Sequence, residues 1–218
     1  MKRLVALLMV LCLLLAGCAG SQAENVETPV ADDAVAGKTI VPLPDTTMEN
    51  LDDAIFAISL EKGDAYVDEE GILQMDVTIY TYDMYDMVDV AMLEVGDTVV
   101  RYSGTVEVTS KEQTETGLIV INGGLEEGGF DLFTNDDGVY YEIGFDDAKN
   151  WYEVGTATLR VSTDMVGIDN ADPDAGEVIF YPGDLLNDAI ENFYFTPHNT
   201  TIRTEGGQVM EMNRVLIP

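Results

Sequence analysis

The sequence predicts an all-β fold, an antiparallel sandwich or barrel with one or two short helical inserts. Apolar residues recur at every second position in many segments, which is the period of a strand with one buried face. Clusters of Gly, Asn, Asp and Pro separate these segments, as turns between strands require. The chain has 218 residues, of which 46% are hydrophobic and 8% aromatic, and this composition is typical of a globular protein.

The longest predicted strand covers residues 72–83. Alternate positions give it an apolar face, made of Leu73, Met75, Val77 and Ile79. The opposite face is polar and carries Tyr80 and Tyr82. This pattern indicates a long strand buried on one side only.

Shorter runs rich in Val, Ile, Thr and Tyr predict further strands. These runs cover residues 104–107, 117–121, 130–133, 139–143, 156–161, 178–181, 200–204 and 209–216. The Gly206-Gly207 pair between the last two runs predicts a tight hairpin turn, because glycine readily adopts the positive φ angles of such turns.

Helical spacing is visible in only two places. Apolar residues of segment 84–92 follow a possible N-cap at Asp83, and apolar residues of segment 185–190 follow Asp184. Each segment is long enough for two or three turns. The pattern leaves the choice between sandwich and barrel open.

The first residues predict export. Basic Lys2 and Arg3 precede an apolar run, residues 4–15, that is too short to span about 30 Å of hydrocarbon. The run ends in Leu15-Ala16-Gly17-Cys18, which resembles the lipobox of bacterial membrane-anchored lipoproteins. The resemblance covers residues 1–18 only. It implies that residues 1–17 are a cleaved signal peptide and that Cys18 carries the lipid.

A lipid on Cys18 places the protein at the cell membrane, facing outside the cytoplasm. Residues 18–45 are small and acidic and include prolines, which predicts a flexible tether. We therefore expect a single β-rich extracytoplasmic domain at residues 46–218. The only other cysteine, Cys12, lies in the predicted signal peptide, so thiol catalysis and disulfides are excluded from the mature chain.

The charge balance excludes one class of partner. The chain has 41 acidic and ten basic residues, which give a net charge of −31. Residues 46–218 alone contain 36 of the acids and seven of the bases. Nucleic acids bind through the attraction of basic residues to phosphate, which here becomes repulsion. The acidity belongs to the folded domain, and no nucleic-acid partner is expected.

No arrangement of residues predicts catalysis. His198 is the only histidine, and no serine lies in a Gly-x-Ser-x-Gly motif. Adjacent acids are frequent, but neighbours on a strand point to opposite faces. We therefore assign no catalytic residue and favour a non-catalytic binding or interaction module. The alternative is a small envelope hydrolase that uses two carboxyl groups, as glycosidases do.

Metal and phosphate motifs are incomplete. Residues 169–177 partly match the start of a calcium-binding EF-hand loop, but the glycine position holds Ala175 and the position of the last ligand holds Tyr181. The glycine-rich segment 122–129 lacks the Lys-Ser/Thr pair of a phosphate loop. We expect it to be a tight connection between strands. We assign neither metal ligands nor a cofactor.

Aromatic residues give the remaining indication of function. Tyr80 and Tyr82 share the polar face of the longest strand, and Trp151 and Tyr152 lie together further along the chain. Exposed Tyr and Trp rings suit contact with a carbohydrate or with a protein. These four residues are the predicted ligand-binding residues, with a carbohydrate or an envelope protein as the partner.

Overall fold

The computed structural model of the protein describes residues 37–134, 138–145, 148–187, 189–190 and 192–216. The predicted signal peptide, Cys18 and most of the predicted tether lie outside these residues. Strands hold 49% and helices 8% of the described part, which confirms the all-β prediction. No helix within this part is long and apolar enough to cross a membrane.

The described residues form fifteen strands, one α-helix and two short 3-10 helices. The strands are β1 (Thr39–Ile40), β2 (Ile55–Ser59), β3 (Ala65–Val67), β4 (Leu73–Thr81), β5 (Met84–Asp86), β6 (Thr98–Arg101), β7 (Gly104–Glu107), β8 (Lys111–Gln113), β9 (Ile119–Ile121), β10 (Phe130–Thr134), β11 (Val139–Ile143), β12 (Tyr152–Asn170), β13 (Val178–Phe180), β14 (Thr200–Glu205) and β15 (Gln208–Val215). The α-helix is α1 (Met87–Ala91), and the 3-10 helices are Leu125–Glu127 and Pro182–Leu186.

One sheet closes on itself around the first hydrophobic core. Its strand order is β13-β12-β15-β14-β2-β4-β3, and β12 also pairs with β4, which makes a ring of β4, β2, β14, β15 and β12. Strand β12 is long enough for both pairings, because its first half runs antiparallel to β4 and its second half parallel to β15. The core inside the ring contains Met75, Ile79, Met165, Ile202 and Met212.

A second core lies between two smaller sheets. Their strand orders are β5-β11-β10-β9-β8 and β1-β6-β7. The buried side chains of this core include Ile40, Tyr85, Val99, Phe130 and Leu132. Apart from β1, its elements come from the segment between β4 and β12. Since Thr81 pairs with Tyr152, the chain leaves the ring and returns to it at adjacent positions.

Several predicted elements are confirmed. Strand β4 buries Met75, Val77 and Ile79 on the predicted apolar face. Strands β14 and β15 form a hairpin in which Gly206 and Gly207 have φ angles of 56° and 74°. Both angles are left-handed, as the two-residue turn requires. Segment 122–129 is the expected connection, between β9 and β10.

The fold begins before residue 46, where the domain boundary was predicted. Residues Thr39–Ile40 pair in parallel with β6, and the side chain of Ile40 is 1% exposed. Asp45 accepts a 2.6 Å hydrogen bond from the hydroxyl of Thr81. A two-residue strand has no visible period, so the sequence pattern places the boundary too late.

Both predicted helices differ from the structure. Segment 84–92 begins as strand β5, and α1 starts only after Asp86, whose carboxylate accepts the N–H of Val88. Asp83 is instead buried and accepts the N–H of Tyr102. The segment after Asp184 forms no α-helix in its described residues, because the 3-10 helix Pro182–Leu186 already contains Asp184. In both places packing against a sheet outweighs weak helical spacing.

Candidate functional site

An aromatic surface forms where the chain passes between the two cores. Because Thr81 pairs with Tyr152, the next residues outward, Tyr82 and Trp151, are also neighbours, and their ring centroids are 4.8 Å apart. Tyr141 of β11 lies 6.4 Å from Tyr82, with the rings edge to face. Phe133 of β10 extends the row at 6.0 Å from Tyr141. We call these four rings, Tyr82, Phe133, Tyr141 and Trp151, the aromatic surface.

Lys149 places a positive charge on the aromatic surface. Its Nζ atom lies 4.1 Å from the ring centroid of Tyr82 and 5.7 Å from that of Trp151. The same atom donates a 3.1 Å hydrogen bond to the hydroxyl of Tyr82. Lys149 is held there because it forms a β-bridge with Ile143 at the end of β11. A cation within 6 Å of a ring centroid is attracted to the ring face, so the amine and the rings hold one another in place.

Only two of the four predicted ligand-binding residues lie on the aromatic surface. Tyr82 and Trp151 come together on the aromatic surface. Tyr80 instead has its hydroxyl 3.3 Å from that of Ser59. Tyr152 stacks on Tyr102 with a centroid distance of 4.8 Å. The prediction does not include Phe133 and Tyr141 of the aromatic surface, or Lys149 beside them. Phe133 pairs with Tyr141 across β10 and β11, and Lys149 bridges to Ile143, and no local sequence pattern shows these pairings.

A buried polar network lies beneath this junction. Glu142 of β11 is 0% exposed, and its two oxygens accept hydrogen bonds of 2.5 and 2.7 Å from Arg101. Oε1 also accepts hydrogen bonds from the side chains of Asn150, at 2.7 Å, and Tyr152, at 2.9 Å. Because both carboxylate oxygens are occupied, Glu142 acts as an anchor between β6, β11 and the start of β12.

The same network contains a second carboxyl group, that of Asp83. Burial raises the pKa of Asp83, and the negative charge of Glu142 raises it further, although the N–H of Tyr102 opposes the shift. Burial and Glu142 also raise the pKa of the Tyr152 hydroxyl. A glycosidase pairs a raised-pKa acid with a carboxylate that reaches its substrate. Glu142 is enclosed by Arg101, Asn150 and Tyr152, so this arrangement fits a structural role better than the role of a glycosidase pair.

The remaining acidic motifs serve mainly the turns. Asp169 pairs with Arg214, and Asp172 accepts the backbone N–H groups of Asp174 and Ala175. Two of the adjacent acid pairs, residues 136–137 and 146–147, lie outside the described residues. Within the described part, no group of three or more His, Cys, Asp or Glu side chains is arranged to hold a metal ion. His198 is exposed in the turn before β14.

Comparison of the chain with protein-family models, with curated proteins and with solved structures finds no match.

Proposed function

We propose that this protein is a lipoprotein anchored to a bacterial cell membrane through Cys18, whose domain binds a ligand outside the cytoplasm without catalysis. The lipobox-like sequence Leu15-Ala16-Gly17-Cys18 after an apolar run supports the anchor. The aromatic surface supports binding and is the observation that carries this proposal. Its half-buried rings are fixed before any ligand arrives, which reduces the entropy lost on binding.

Neutral carbohydrate is the ligand class that this surface favours. Sugar rings place their C–H faces against aromatic rings, and their hydroxyl groups accept or donate hydrogen bonds. The aromatic surface offers both kinds of contact, since the amine of Lys149 and the hydroxyl of Tyr82, to which it donates a hydrogen bond, lie among the rings. Anionic polysaccharides would be repelled by a domain with 36 acids and seven bases at residues 46–218.

The anchor is tested by expression in a bacterium and membrane fractionation. We expect the wild-type protein to partition with membranes and into detergent, with a diacylglyceryl group on its N-terminal cysteine by mass spectrometry. The Cys18→Ala variant should lack the modification and should not be processed normally. Recovery of the wild type from the medium with an unmodified N-terminus would contradict the anchor.

The binding surface is tested with purified protein and polysaccharides. Depletion of the protein by insoluble cellulose, xylan and starch, and its retardation in gels that contain soluble glucans, report binding. We expect Trp151→Ala and Phe133→Ser to weaken binding about tenfold or more, because each removes one ring. Phe133 is 38% exposed and belongs to neither hydrophobic core, so we expect its replacement to leave the circular dichroism spectrum unchanged.

Tyr66→Ala is the matched control, since Tyr66 is an aromatic residue of similar exposure, 39%, on β3. It should bind like the wild type. Failure of the wild type to bind any of these neutral glycans would contradict the carbohydrate assignment. Equal binding by wild type and by both aromatic-surface variants would instead place the ligand elsewhere on the domain.

A further inference from the structure

A cleft opens at the end of β12, lined by β13, by residues of segment 171–176 and by Asp184, Ala189, Ile190, Asn192 and Tyr194. Its volume is about 630 Å³, which lies within the range of pockets for small organic ligands. None of the four rings of the aromatic surface lines it. The cleft is therefore a second candidate site, separate from the aromatic surface.

The floor of the cleft is charged but internally neutralised. The side chain of Arg214 is 5% exposed and lies there between Asp169 and the ring of Phe195. Its Nε atom donates a 2.9 Å hydrogen bond to Asp169, and Nη1 donates one of 2.6 Å to the carbonyl of Asn192. Burial disfavours the charged form of Asp169, but hydrogen bonds from Arg214 and Ala171 outweigh it and lower the pKa of Asp169. The carboxylate of Asp169 therefore offsets the guanidinium charge of Arg214 at the floor of the cleft.

The walls of the cleft are largely apolar. Phe180 and Ile190 are buried, whereas Ile179 and Tyr194 are exposed and complete the apolar lining. Phe180 keeps its place because Gly167, its partner on β12, has no side chain. Such walls favour a ligand with an aliphatic or aromatic body and disfavour a bare hydrated ion.

The rim supplies uncompensated negative charge. Asp172 and Asp184 both line the cleft. One oxygen of Asp172 accepts the N–H of Asp174 at 2.8 Å, and one oxygen of Asp184 accepts the N–H of Tyr181 at 2.7 Å. The second oxygen of each carboxylate has no donor among the residues that the structure describes. Arg214 is the only basic residue that lines the described cleft, and Asp169 already neutralises it.

We propose that this cleft binds a small organic cation, a primary amine with an apolar body. The amine pairs with the carboxylates of Asp172 and Asp184, and the apolar body lies along Ile179, Phe180 and Tyr194. Two effects reinforce each other at this site. The acidic domain raises the local concentration of cations, and the apolar walls lower the effective dielectric constant around the ion pair.

The test uses three amines, phenethylamine, tryptamine and hexylamine, each paired with the alcohol of the same shape. Binding to the purified domain is followed by the shifts of backbone amide signals in ¹⁵N-labelled protein at physiological salt. We expect each amine to bind at least about tenfold more tightly than its alcohol, because only the amine pairs with the carboxylates. The shifts should concentrate in residues 171–184 and 192–194.

Two double variants identify the site. Asp172→Asn/Asp184→Asn removes both rim charges but keeps the oxygens that accept backbone N–H groups, and it should lose at least about tenfold in amine affinity. Glu61→Gln/Asp64→Asn removes the same charge from a separate groove between β2, β4 and β12, and should bind amines like the wild type. Absence of amine binding, equal affinity for amine and alcohol, or equal losses in the two variants would overturn the proposal.

Discussion

Arg101 and Glu142 form a two-point ion pair at the place where the two cores meet. Nε and Nη2 of Arg101 donate hydrogen bonds of 2.7 and 2.5 Å to the two oxygens of Glu142. The guanidinium also lies over the ring of Phe130, 4.4 Å from its centroid. The pair thus connects the second core with Asn150 and Tyr152, the two chain neighbours of Trp151 in the aromatic surface.

Glu142→Ala should lower the free energy of unfolding by about 3–5 kcal/mol, because it leaves the charge of Arg101 buried without a partner. Urea denaturation followed by circular dichroism measures the change. Arg203→Ala is the control, since Arg203 pairs with Glu205 and Glu211 at the surface and is partly exposed. Arg203→Ala should lower the free energy of unfolding by less than about 1 kcal/mol. Equal effects of the two variants would show that the buried pair has no special role.

Asp83 should make the protein less stable as the pH rises. Its pKa in the folded state lies above the ordinary value of 3.8, because burial and Glu142 disfavour the charged form. The folded state therefore binds this proton more tightly than the unfolded state does. The stability that this tighter binding contributes is lost as the pH rises through the raised pKa. Relative to Asp83→Asn, the wild type should be more stable at acid pH than at pH 7. A difference independent of pH would contradict this reasoning.

Asp169 should show the opposite dependence. Its folded-state pKa lies below 3.8, since hydrogen bonds from Arg214 and Ala171 outweigh the effect of burial. The stability that it contributes is present above 3.8 and is lost as the pH falls through the lowered value. The difference in unfolding free energy between wild type and Asp169→Asn should therefore shrink on acidification. An increase at acid pH would show that Asp169 is not held ionised by Arg214.

The sequence predicts the parts of this fold whose signal is local. Strand β4 is evident from its alternation, and the β14–β15 hairpin from Gly206-Gly207. Strand β12 was predicted only over residues 156–161, because its period breaks at a register shift between Val161 and Val166. Its change of partner from β4 to β15 depends on tertiary packing. No alternation pattern in one strand contains that information.

The candidate site shows the same limit. Tyr82 and Trp151 are 69 positions apart in the chain and meet only because β4 and β12 pair. Alternation along β4 predicts that Tyr80 and Tyr82 share a face, yet Tyr82 lies beyond the end of the strand, where the chain turns toward the second core. The sequence indicates which residue types form the surface, whereas their grouping requires the strand register.

Ile40→Ala should destabilise the protein by about 2–5 kcal/mol, which is typical when a fully buried aliphatic side chain is truncated. Ile40 is 1% exposed in the second core, although it lies in the segment whose composition resembles a linker. Val41→Ala is the matched control, because its neighbouring side chain is 60% exposed. Thermal unfolding should show a clear loss for the first variant only. Identical melting temperatures for the wild type and Ile40→Ala would show that residues 39–41 belong to the tether and not to the folded domain.

Gly167→Ala should destabilise the fold and deform the cleft wall. Gly167 and Phe180 are direct partners in the β12–β13 pair, and a Cβ atom at position 167 would lie 2.2 Å from the ring of Phe180. The ring cannot move inward without overpacking, which costs about 1–3 kcal/mol in well-packed cores.

Gly183→Ala is the control, since a Cβ atom there meets no atom within 4 Å, and its effect should stay within about 0.5 kcal/mol. Urea denaturation of the double variant Gly167→Ala/Phe180→Ala tests the cause. If the clash with Phe180 causes the loss, the double variant should lose less unfolding free energy than the two single variants together, because removal of the ring removes the clash. Strict additivity would show that Gly167 is required for another reason.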